Sequence, residues 1–318
     1  KSMKKNLFVM LVGGFLGFFM IFVGCATKIP MPIGPLPDFQ VASYNVENLW
    51  DGNPSNTLPE QLWQYEEFTP ELSNWYGRAQ SLGLLSGSPN EMAPAYKTKA
   101  LAAAKAIALM GAPDMVALQE IESAHNESEI FSQTSLFRKE LEKLGYRYFL
   151  LGPQSENKPT ALTTAVIAKI PIQARNSIVV DVSHPAFSVL NEKQKKSVRW
   201  SLRDIQVVEV LHYNFLLINN HWRSQGCDSP SSCELSENVR RATAQVLSEF
   251  IAEQKSNNKS SNKSLMVVGD FNMGWKSPVF KKMAIEQDLV NLWLTLEPQS
   301  RAEYNYEGHF ETLSGFFL

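Results

Sequence analysis

The sequence predicts a layered α/β domain, because short apolar segments typical of strands alternate with amphipathic segments typical of helices. Most of the strand-like segments are bounded by Gly, Pro, Asn or Asp, and no internal repeat of solenoid length is present. The composition, with 44% hydrophobic and 19% charged residues in a chain of 318, is that of a globular protein. It excludes a predominantly disordered chain.

The periodicity of apolar residues gives the individual elements. Strands are predicted over residues 39–45, 114–120, 161–168, 177–182, 215–221 and 265–271. Helices are predicted over residues 96–111, 135–145 and 236–254. No break in composition divides residues 39–318, which are therefore predicted to form one domain.

The N-terminus differs in kind from the rest of the chain. Three lysines, at positions 1, 4 and 5, precede an uncharged apolar run over residues 7–23. This order is typical of a signal peptide, so we predict export and removal of residues 1–24. An uncleaved N-terminal anchor helix is the alternative.

The segment FVGC resembles a bacterial lipobox, in which the cysteine becomes the lipidated N-terminus of the mature protein. Cys25 is therefore the predicted lipidation site, and residues 25–38 are a proline-rich, extended tether. Ala26 resembles the sorting choice for the outer membrane of Gram-negative bacteria. We expect a lipoprotein of the bacterial cell envelope, at the outer membrane and attached to it through its lipid.

The other two cysteines, Cys227 and Cys233, lie in the polar loop QGCDSPSSCE. A disulfide between them is predicted, because disulfides persist outside the cytoplasm, and two free thiols are the alternative. The predicted signal peptide holds three of the 30 basic residues, which leaves 27 against 32 acidic ones. A mildly acidic chain is unlike proteins whose affinity comes from tracking a long phosphate backbone.

Residues 51–95 are predicted to form a long loop insertion rich in aromatic residues. Loops of this length inside compact domains are usually functional, so the insertion is a candidate substrate cleft. A separate apolar cluster at the edge of the domain is an equally good interpretation. Candidates for stacking against a substrate are Tyr65, Trp75 and Tyr76.

Polar side chains stand where four of the apolar strands end. They are Asn45, Glu120, Asn219, His221, Asp270 and Asn272. Each alone has an ordinary explanation as a turn residue, a helix cap or a satisfied core histidine. Together they indicate a site, because open α/β sheets gather their functional groups at strand ends.

The motifs YNVENLWD, PDMVALQEIE, NNHW and VVGDFN, in this order, resemble the endonuclease/exonuclease/phosphatase superfamily, whose fold is DNase I-like. The resemblance spans residues 39–318. It implies a four-layer α/β/β/α sandwich of two packed mixed β-sheets. It also implies metal-dependent hydrolysis of phosphodiester or phosphomonoester bonds.

This resemblance assigns roles to the strand-end residues. Glu120 and Asn45 are the expected ligands of Mg²⁺ or Mn²⁺, with Ca²⁺ as a further candidate, and Asn45 also positions the phosphate. Asp270 and Asn272 are expected to orient and activate the attacking water, and His221 to donate to a phosphoryl oxygen. Two weaker candidates are Asn219 and Arg203, the latter a possible phosphate ligand or an ordinary surface charge.

One departure from the family pattern concerns the C-terminus, where the family has an Asp-His pair. The matching positions in this chain are Ser314 and Gly315, which neither orient a base nor accept a proton near neutral pH.

Three interpretations of the function follow. The first is an active phosphodiesterase or nuclease, with a phosphodiester substrate and nucleic acid as a candidate. The second is a catalytically impaired relative that binds a ligand, and the third is an interaction module that uses the aromatic loop. The sequence does not indicate an oligomeric state.

Overall fold

The structure is a computed structural model, and it describes most of the predicted domain together with a short N-terminal segment. The described residues are 21–23, 39–49, 89–122, 129–153, 162–211, 213–225, 228–257, 263–274, 276–297, 304–306, 309–311 and 313–318.

The described residues form twelve strands and five α-helices. The strands, in chain order, are β1 (Ile21–Val23), β2 (Gln40–Leu49), β3 (Met115–Glu122), β4 (Tyr148–Leu151), β5 (Leu162–Ala168), β6 (Ile172–Ala174), β7 (Gln206–Val210), β8 (Phe215–His221), β9 (Ser264–Asp270), β10 (Tyr304–Tyr306), β11 (His309–Glu311) and β12 (Ser314–Phe317). The helices are α1 (Pro89–Leu109), α2 (Leu136–Lys143), α3 (Glu192–Val198), α4 (Pro230–Asn257) and α5 (Pro278–Glu286). Short 3-10 helices lie at Pro185–Val189, Arg199–Ser201 and Leu292–Thr295.

Ten of the strands form two five-stranded sheets, with the orders β1-β2-β3-β5-β4 and β12-β9-β8-β7-β6. Each sheet contains one parallel pair among antiparallel neighbours: β2 with β3 in the first sheet, and β8 with β9 in the second. A helix connects the strands of each parallel pair, α1 in the first sheet and α4 in the second. The remaining strands, β10 and β11, pair as a separate hairpin.

Three apolar clusters separate four layers. The inner faces of the two sheets pack on each other through side chains such as Met115 and Val166 from one sheet and Leu217 and Met266 from the other. A second cluster holds α1 and α2 against the outer face of the first sheet. A third holds α4 and α5 against the outer face of the second sheet. The predicted four-layer sandwich of two mixed sheets is therefore confirmed.

The sequence of strand β9 matches its place between the helix layer and the other sheet. Val267 and Phe271 contact the helix layer, whereas Val268 belongs to the cluster between the sheets. Gly269 between them has φ +133°, and a Cβ at this position would lie 2.1 Å from the Asn220 carbonyl oxygen. Only glycine allows the two strands to approach this closely, and the next residue, Asp270, is thereby held at the strand end.

The structure corrects two predicted elements. Residues 177–182 do not form a strand beyond an isolated bridge between Ile178 and Ile205. The Val180 amide donates instead to the Asp204 carboxylate at 2.9 Å, and the side chains of Ile178 and Val180 join the apolar cluster beneath α4. Helix α1 begins at Pro89, inside the range predicted as the loop insertion, and the rest of that insertion lies outside the described residues.

Most of the predicted signal peptide and all of the tether, including Cys25, lie outside the described residues. Strand β1, at the end of the predicted apolar run, pairs antiparallel with β2. Cys233 is disulfide-bonded, and its predicted partner Cys227 lies outside the described residues. Among the helices that the structure describes, none combines the length and apolarity needed to cross a bilayer.

Gly269→Ala is predicted to destabilise the protein far more than Gly111→Ala. Gly111 also has a positive φ, of 83°, but a Cβ there meets nothing within 4 Å. Gly111→Ala should therefore cost only the backbone penalty of about 1 kcal/mol. The clash of Gly269→Ala with backbone should cost roughly 3 kcal/mol or more. Urea unfolding of both variants tests this, and equal losses would contradict the close approach of β8 and β9.

Tyr146→Phe is predicted to have a pH-dependent effect on stability. The buried Tyr146 hydroxyl donates to the Pro113 carbonyl at 2.8 Å, and burial, assisted by the charge of Asp114, raises the pKa of Tyr146. At pH 8 the variant should lose about 1 kcal/mol with this hydrogen bond.

Above pH ~10, tyrosines of the unfolded chain ionise while Tyr146 stays protonated in the folded protein, so the wild type loses stability as pH rises. The variant lacks this loss, and the gap between the two proteins should narrow. Urea titrations at pH 8 and pH ~10.5 measure it. A gap of the same size at both values would show that the hydroxyl titrates normally.

Candidate functional site

Four strands converge at one edge of the sandwich. His221 and Asp270 are the last residues of β8 and β9, as predicted. Asn45 and Glu120 lie at shifts of register inside β2 and β3, which continue to Leu49 and Glu122, and not at the predicted strand ends. These four strands are the two parallel pairs, and their carboxyl ends meet where the inner faces of the sheets reach the surface. Ligand atoms of Glu120, His221 and Asp270 all lie within 4.8 Å of one another. The predicted convergence of these residues is therefore found.

Asn45 joins the two carboxylates. Its Nδ2 donates to Glu120 Oε1 at 2.9 Å and to Asp270 Oδ2 at 2.9 Å. Its Oδ1 accepts from the backbone N–H of Glu47 at 2.8 Å. Glu120 belongs to the first sheet and Asp270 to the second, so a single amide group links the sheets. The amide group also separates two like charges that would otherwise repel each other.

Glu120 reaches the site because β3 is irregular at this point. In a regular strand, side chains three residues apart face opposite ways, yet Leu118 and Ile121 both contact the outer apolar cluster. The pairing of β3 with β5 shifts register between them, and Glu120 has φ +62°. The additional residue re-aims the carboxylate toward the gap between the sheets, as bulges near active sites do.

Asn272 supports Asp270 from behind. Its backbone N–H donates to Asp270 Oδ1 at 2.8 Å, and its side chain donates to the Trp222 carbonyl at 3.0 Å. Its backbone, like that of Glu120, is left-handed, with φ +49°. The backbone N–H of Asn272 therefore fixes the orientation of Asp270. Its side-chain amide donates to Trp222, the residue that follows His221.

The two carboxyl groups have opposite pKa shifts. Burial alone would raise the pKa of Glu120, but the hydrogen bond and charge of His221, the Asn45 amide and the charge of Arg203 hold it at about 2. Burial raises the pKa of Asp270, against the lowering effects of His221, Asn45 and the Asn272 amide. Glu120 is thus a permanent anion, and Asp270 is the better proton acceptor of the two.

His221 contributes the imidazole of the cluster. Its Nε2 lies 3.5 Å from Glu120 Oε1, and the side chain is buried. Its Nδ1 is also buried and has no hydrogen-bond partner among the described residues. An orphaned nitrogen of this kind next to two carboxylates marks a group available for a ligand or a proton.

Arg203 lies on one wall of the site. Its Nη1 donates to the Trp222 carbonyl at 3.0 Å, the same oxygen that accepts from Asn272. Burial lowers the pKa of Arg203, while the charges of Glu120 and Asp270 oppose that effect. The guanidinium therefore lies beside the cluster, and its role as a phosphate ligand stays a prediction.

Asn219 does not belong to the site, which corrects the weaker prediction. It faces the same way as His221 but lies deeper, fully buried between the sheets. Its side chain donates to the carbonyls of Leu118 and Ala165 and accepts from Gln119 Nε2 at 2.8 Å. All of these bonds connect the two sheets, so its role is structural.

The sequence did not single out two residues next to the cluster, Glu47 and Lys99. The Lys99 Nζ donates to the Glu47 carbonyl. Burial, together with the charge of Glu120, raises the pKa of Glu47, and the charge of Lys99 opposes that effect. Glu47 lies two residues after Asn45 in the motif YNVEN, and that spacing was the available signal. No signal in the sequence pointed to Lys99, because a lysine on a helix is normally a solvated charge.

The C-terminal positions behave differently from each other. Ser314 pairs directly with Asp270 across β12 and β9, so the two residues share a face of the sheet. Gly315 faces the other way, and a Cβ there would lie 2.7 Å from the Phe271 ring. Of the two positions, Ser314 therefore faces the site with its hydroxyl group, and Gly315 does not.

The donor set of the cluster fits a divalent cation. Two carboxylates and one imidazole within 4.8 Å of one another are suitable ligands for Mn²⁺ and, through the oxygens, for Mg²⁺. Asn45 turns its N–H group toward both carboxylates, and in this arrangement it bridges the ligands. Its own role as a metal ligand stays a prediction.

No protein-family model matches the chain, and no curated protein matches it in sequence. Solved structures are similar in fold. ANGEL2, a 2',3'-cyclic phosphatase in complex with adenosine-2',3'-vanadate, is 12% identical over 88% of this chain and 83% of that chain, with a TM-score of 0.48. A mannosyl-6-phosphatase of Bacteroides thetaiotaomicron is 14% identical over 88% and 84%, with a TM-score of 0.47. The catalytic domain of human Nocturnin is 17% identical over 70% and 73%, with a TM-score of 0.41.

Gly315→His is predicted to destabilise the protein, whereas Ser314→His is predicted to be tolerated. The new side chain in Gly315→His would have to displace the buried Phe271 ring, at a cost of roughly 2 kcal/mol or more. The new side chain in Ser314→His would lie on the face of the sheet that Ser314 shares with Asp270. Thermal unfolding of both variants tests the register of β12, and a stable Gly315→His protein would contradict it.

Proposed function

We propose that this chain is a divalent-metal-dependent phosphoesterase of the endonuclease/exonuclease/phosphatase superfamily, hydrolysing phosphodiester bonds. The observation that carries the proposal is the cluster of Glu120, His221 and Asp270, whose ligand atoms lie within 4.8 Å of one another at the meeting strand ends of two sheets. The ordered sequence motifs that resemble this superfamily contain the same three residues. The fold and the residue types therefore agree on one chemistry.

Glu120 would hold the cation, because it stays ionised at all ordinary pH values and has the ligand atoms of His221 and Asp270 beside it. A bound Mg²⁺ or Mn²⁺ supplies positive charge that offsets the charge of the phosphate and of the transition state. Removal of the cation should also destabilise the cluster, since Glu120 and Asp270 would then depend on Asn45 alone for separation.

Asp270 is the candidate general base. Burial raises the pKa of its carboxyl group, and the Asn45 and Asn272 amides fix the orientation of both oxygens. A carboxylate that is held rigidly and has a raised pKa accepts a proton from water more readily than an exposed one. His221, whose Nε2 faces the carboxylates at 3.5 Å from Glu120 Oε1, would donate to a phosphoryl oxygen.

Arg203 is the candidate phosphate ligand from this chain. A guanidinium has five N–H donors in a planar fork, and one of them is directed at the Trp222 carbonyl. The charge lies close enough to affect both Glu120 and Asp270. A phosphate that enters beside these carboxylates would therefore meet a planar cationic group.

A specific observation favours a second candidate, a phosphate-binding protein with little or no turnover. The position opposite Asp270 on β12 is Ser314, which does not supply an acid or base near neutral pH. Loss of an orienting or protonating group lowers rate by orders of magnitude while it leaves the fold intact.

The proposed location is the bacterial cell envelope, with nucleic acid among the candidate substrates. The lysine-flanked apolar run and the lipobox-like FVGC support export and lipid attachment at Cys25. The mass of the N-terminal peptide from a bacterial host tests this directly. A peptide that begins at Cys25 and carries acyl chains supports it, and an unmodified, uncleaved N-terminus would refute it.

The test of function is hydrolysis of bis(p-nitrophenyl) phosphate, plasmid DNA and a phosphomonoester by the purified protein, with Mg²⁺, Mn²⁺ or EDTA. Asp270→Asn should reduce metal-dependent turnover by about 10² to 10⁴. Asp228→Asn, at an exposed aspartate outside the cluster, is the matched control and should retain full activity.

The outcomes separate the two candidates. Metal-dependent turnover that disappears in Asp270→Asn supports the esterase. Binding of Mn²⁺ and phosphate without turnover supports the binding protein. A folded protein that neither binds Mn²⁺ nor hydrolyses any substrate overturns both.

A further inference from the structure

The segment of β2 that follows Asn45, here called the Glu47 turn, is irregular, because the pairing of β2 with β3 shifts register between Asn45 and Leu49. Glu47 has φ +54°, a left-handed conformation that costs a non-glycine residue about 1 kcal/mol or more. Its N–H donates to Asn45 Oδ1 at 2.8 Å, and its carbonyl accepts from Lys99 Nζ. The Glu47 turn is therefore held by two hydrogen bonds, one to the side chain of Asn45 and one from Lys99 of α1.

The lysine is well placed to fix this segment. Lys99 is partly buried on α1, and the neighbouring Ala100 and Ala103 pack that helix against the first sheet. Because these contacts pack the helix closely against the sheet, the backbone of Lys99 is held in place. A charged donor to a carbonyl forms a stronger hydrogen bond than a neutral donor does.

The effect of this contact passes to the centre of the site through Asn45. When the Glu47 N–H holds the amide oxygen, the amide nitrogen is left to face Glu120 and Asp270. Release of the Glu47 turn would free the Asn45 side chain to rotate about χ2, and the bridge between the carboxylates would be lost. The arrangement of the cluster thus depends on a residue that does not contact it.

A direct role in phosphate binding is a weaker interpretation of Lys99. Its ammonium is already bound to the Glu47 carbonyl, and the charges facing it are those of Glu47 and Glu120. Burial lowers the pKa of Lys99, and the two carboxylates oppose that effect. The group is directed at the backbone of the turn, unlike Arg203.

We propose that Lys99 is a positioning residue, which holds the strained Glu47 turn and thereby keeps the Asn45 amide between Glu120 and Asp270. This inference rests on the proposed function only for its catalytic consequence. The structural consequence, an ordered Asn45 side chain, stands without it.

The first test compares Lys99→Met, Lys99→Arg and Lys105→Met. Lys105 is an exposed lysine on the same helix and serves as the matched control. Lys99→Met should weaken Mn²⁺ binding, measured by electron paramagnetic resonance, about tenfold, and should lower kcat with little change in KM. Lys99→Arg should restore most of both quantities, and Lys105→Met should resemble the wild type.

The second test is a double-mutant cycle with Asn45→Ala. If Lys99 acts through Asn45, then Lys99→Met should change Mn²⁺ affinity by less than about threefold once Asn45 is alanine. Independent, multiplying effects of the two substitutions would overturn the proposal. Should Lys99→Met fail to fold, Lys99→Gln, which keeps a shorter neutral donor, takes its place in the cycle.

The third test needs neither metal nor activity. In the metal-free protein, the side-chain amide resonances of Asn45 should be dispersed and protected from exchange, as expected for a group with two acceptors. Lys99→Met should move them toward the values of an exposed asparagine, and Lys105→Met should leave them unchanged. Unaltered Asn45 resonances in Lys99→Met overturn the proposal, even if the wild type hydrolyses phosphodiesters. The predicted change supports it even if the wild type does not.

Discussion

The Asn45 side chain donates to Glu120 and Asp270, and these two carboxylates come from different sheets. The geometry of the site therefore depends on how the two sheets pack. That packing is fixed by a large apolar cluster between the inner faces, to which both sheets contribute side chains. A shift of one sheet against the other would lengthen the hydrogen bonds of Asn45 to these carboxylates. The rigid interior thus serves the site as much as it serves stability.

Strain near the site has a consistent distribution. Glu47, Glu120 and Asn272 all have left-handed backbones. Glu47 and Glu120 lie where the pairing of β2 and of β3 shifts register, and Asn272 lies just beyond the end of β9. Such conformations cost of order 1–3 kcal/mol each and persist only where the surroundings impose them. Here the surroundings are identifiable: a hydrogen bond from Lys99, a bulge against β5, and the contact of Asn272 with the Trp222 carbonyl. Each strained residue directs a polar group into the site.

The polar groups beneath the site form a separate layer. Gln119 and Asn219 connect the sheets by a side-chain hydrogen bond, Gln206 connects them by donating to the Leu150 carbonyl, and all three side chains are buried. Satisfied networks of this kind fix the relative position of their partners, because any slip would leave a buried donor without an acceptor. His221 and Asp270 stand directly above this layer. The opposite pKa shifts of Glu120 and Asp270 therefore arise in an environment with little freedom to relax.

The sequence alone determined the layered fold and the strand ends at which the site lies. Alternating apolar runs specify buried strands. A polar residue that ends such a run lies at the edge of the sheet and needs a polar partner there, as Asp270 and His221 do. Gly269 before Asp270 also fits its position, since only glycine permits the contact with Asn220.

The tertiary structure decided those features of the site that depend on strand register and on how deeply a side chain is buried. Asn219 and His221 face the same way and are both buried, and only the packing of the two sheets gives Asn219 partners on Leu118, Ala165 and Gln119 and sets His221 beside Glu120. The bulge that re-aims Glu120 breaks the alternation on which sequence analysis relies. The reach of Lys99 to the Glu47 turn, and the pairing that sets Ser314 but not Gly315 opposite Asp270, join residues far apart in the chain. Local periodicity specifies which face a side chain takes, but contacts between distant segments specify what it meets there.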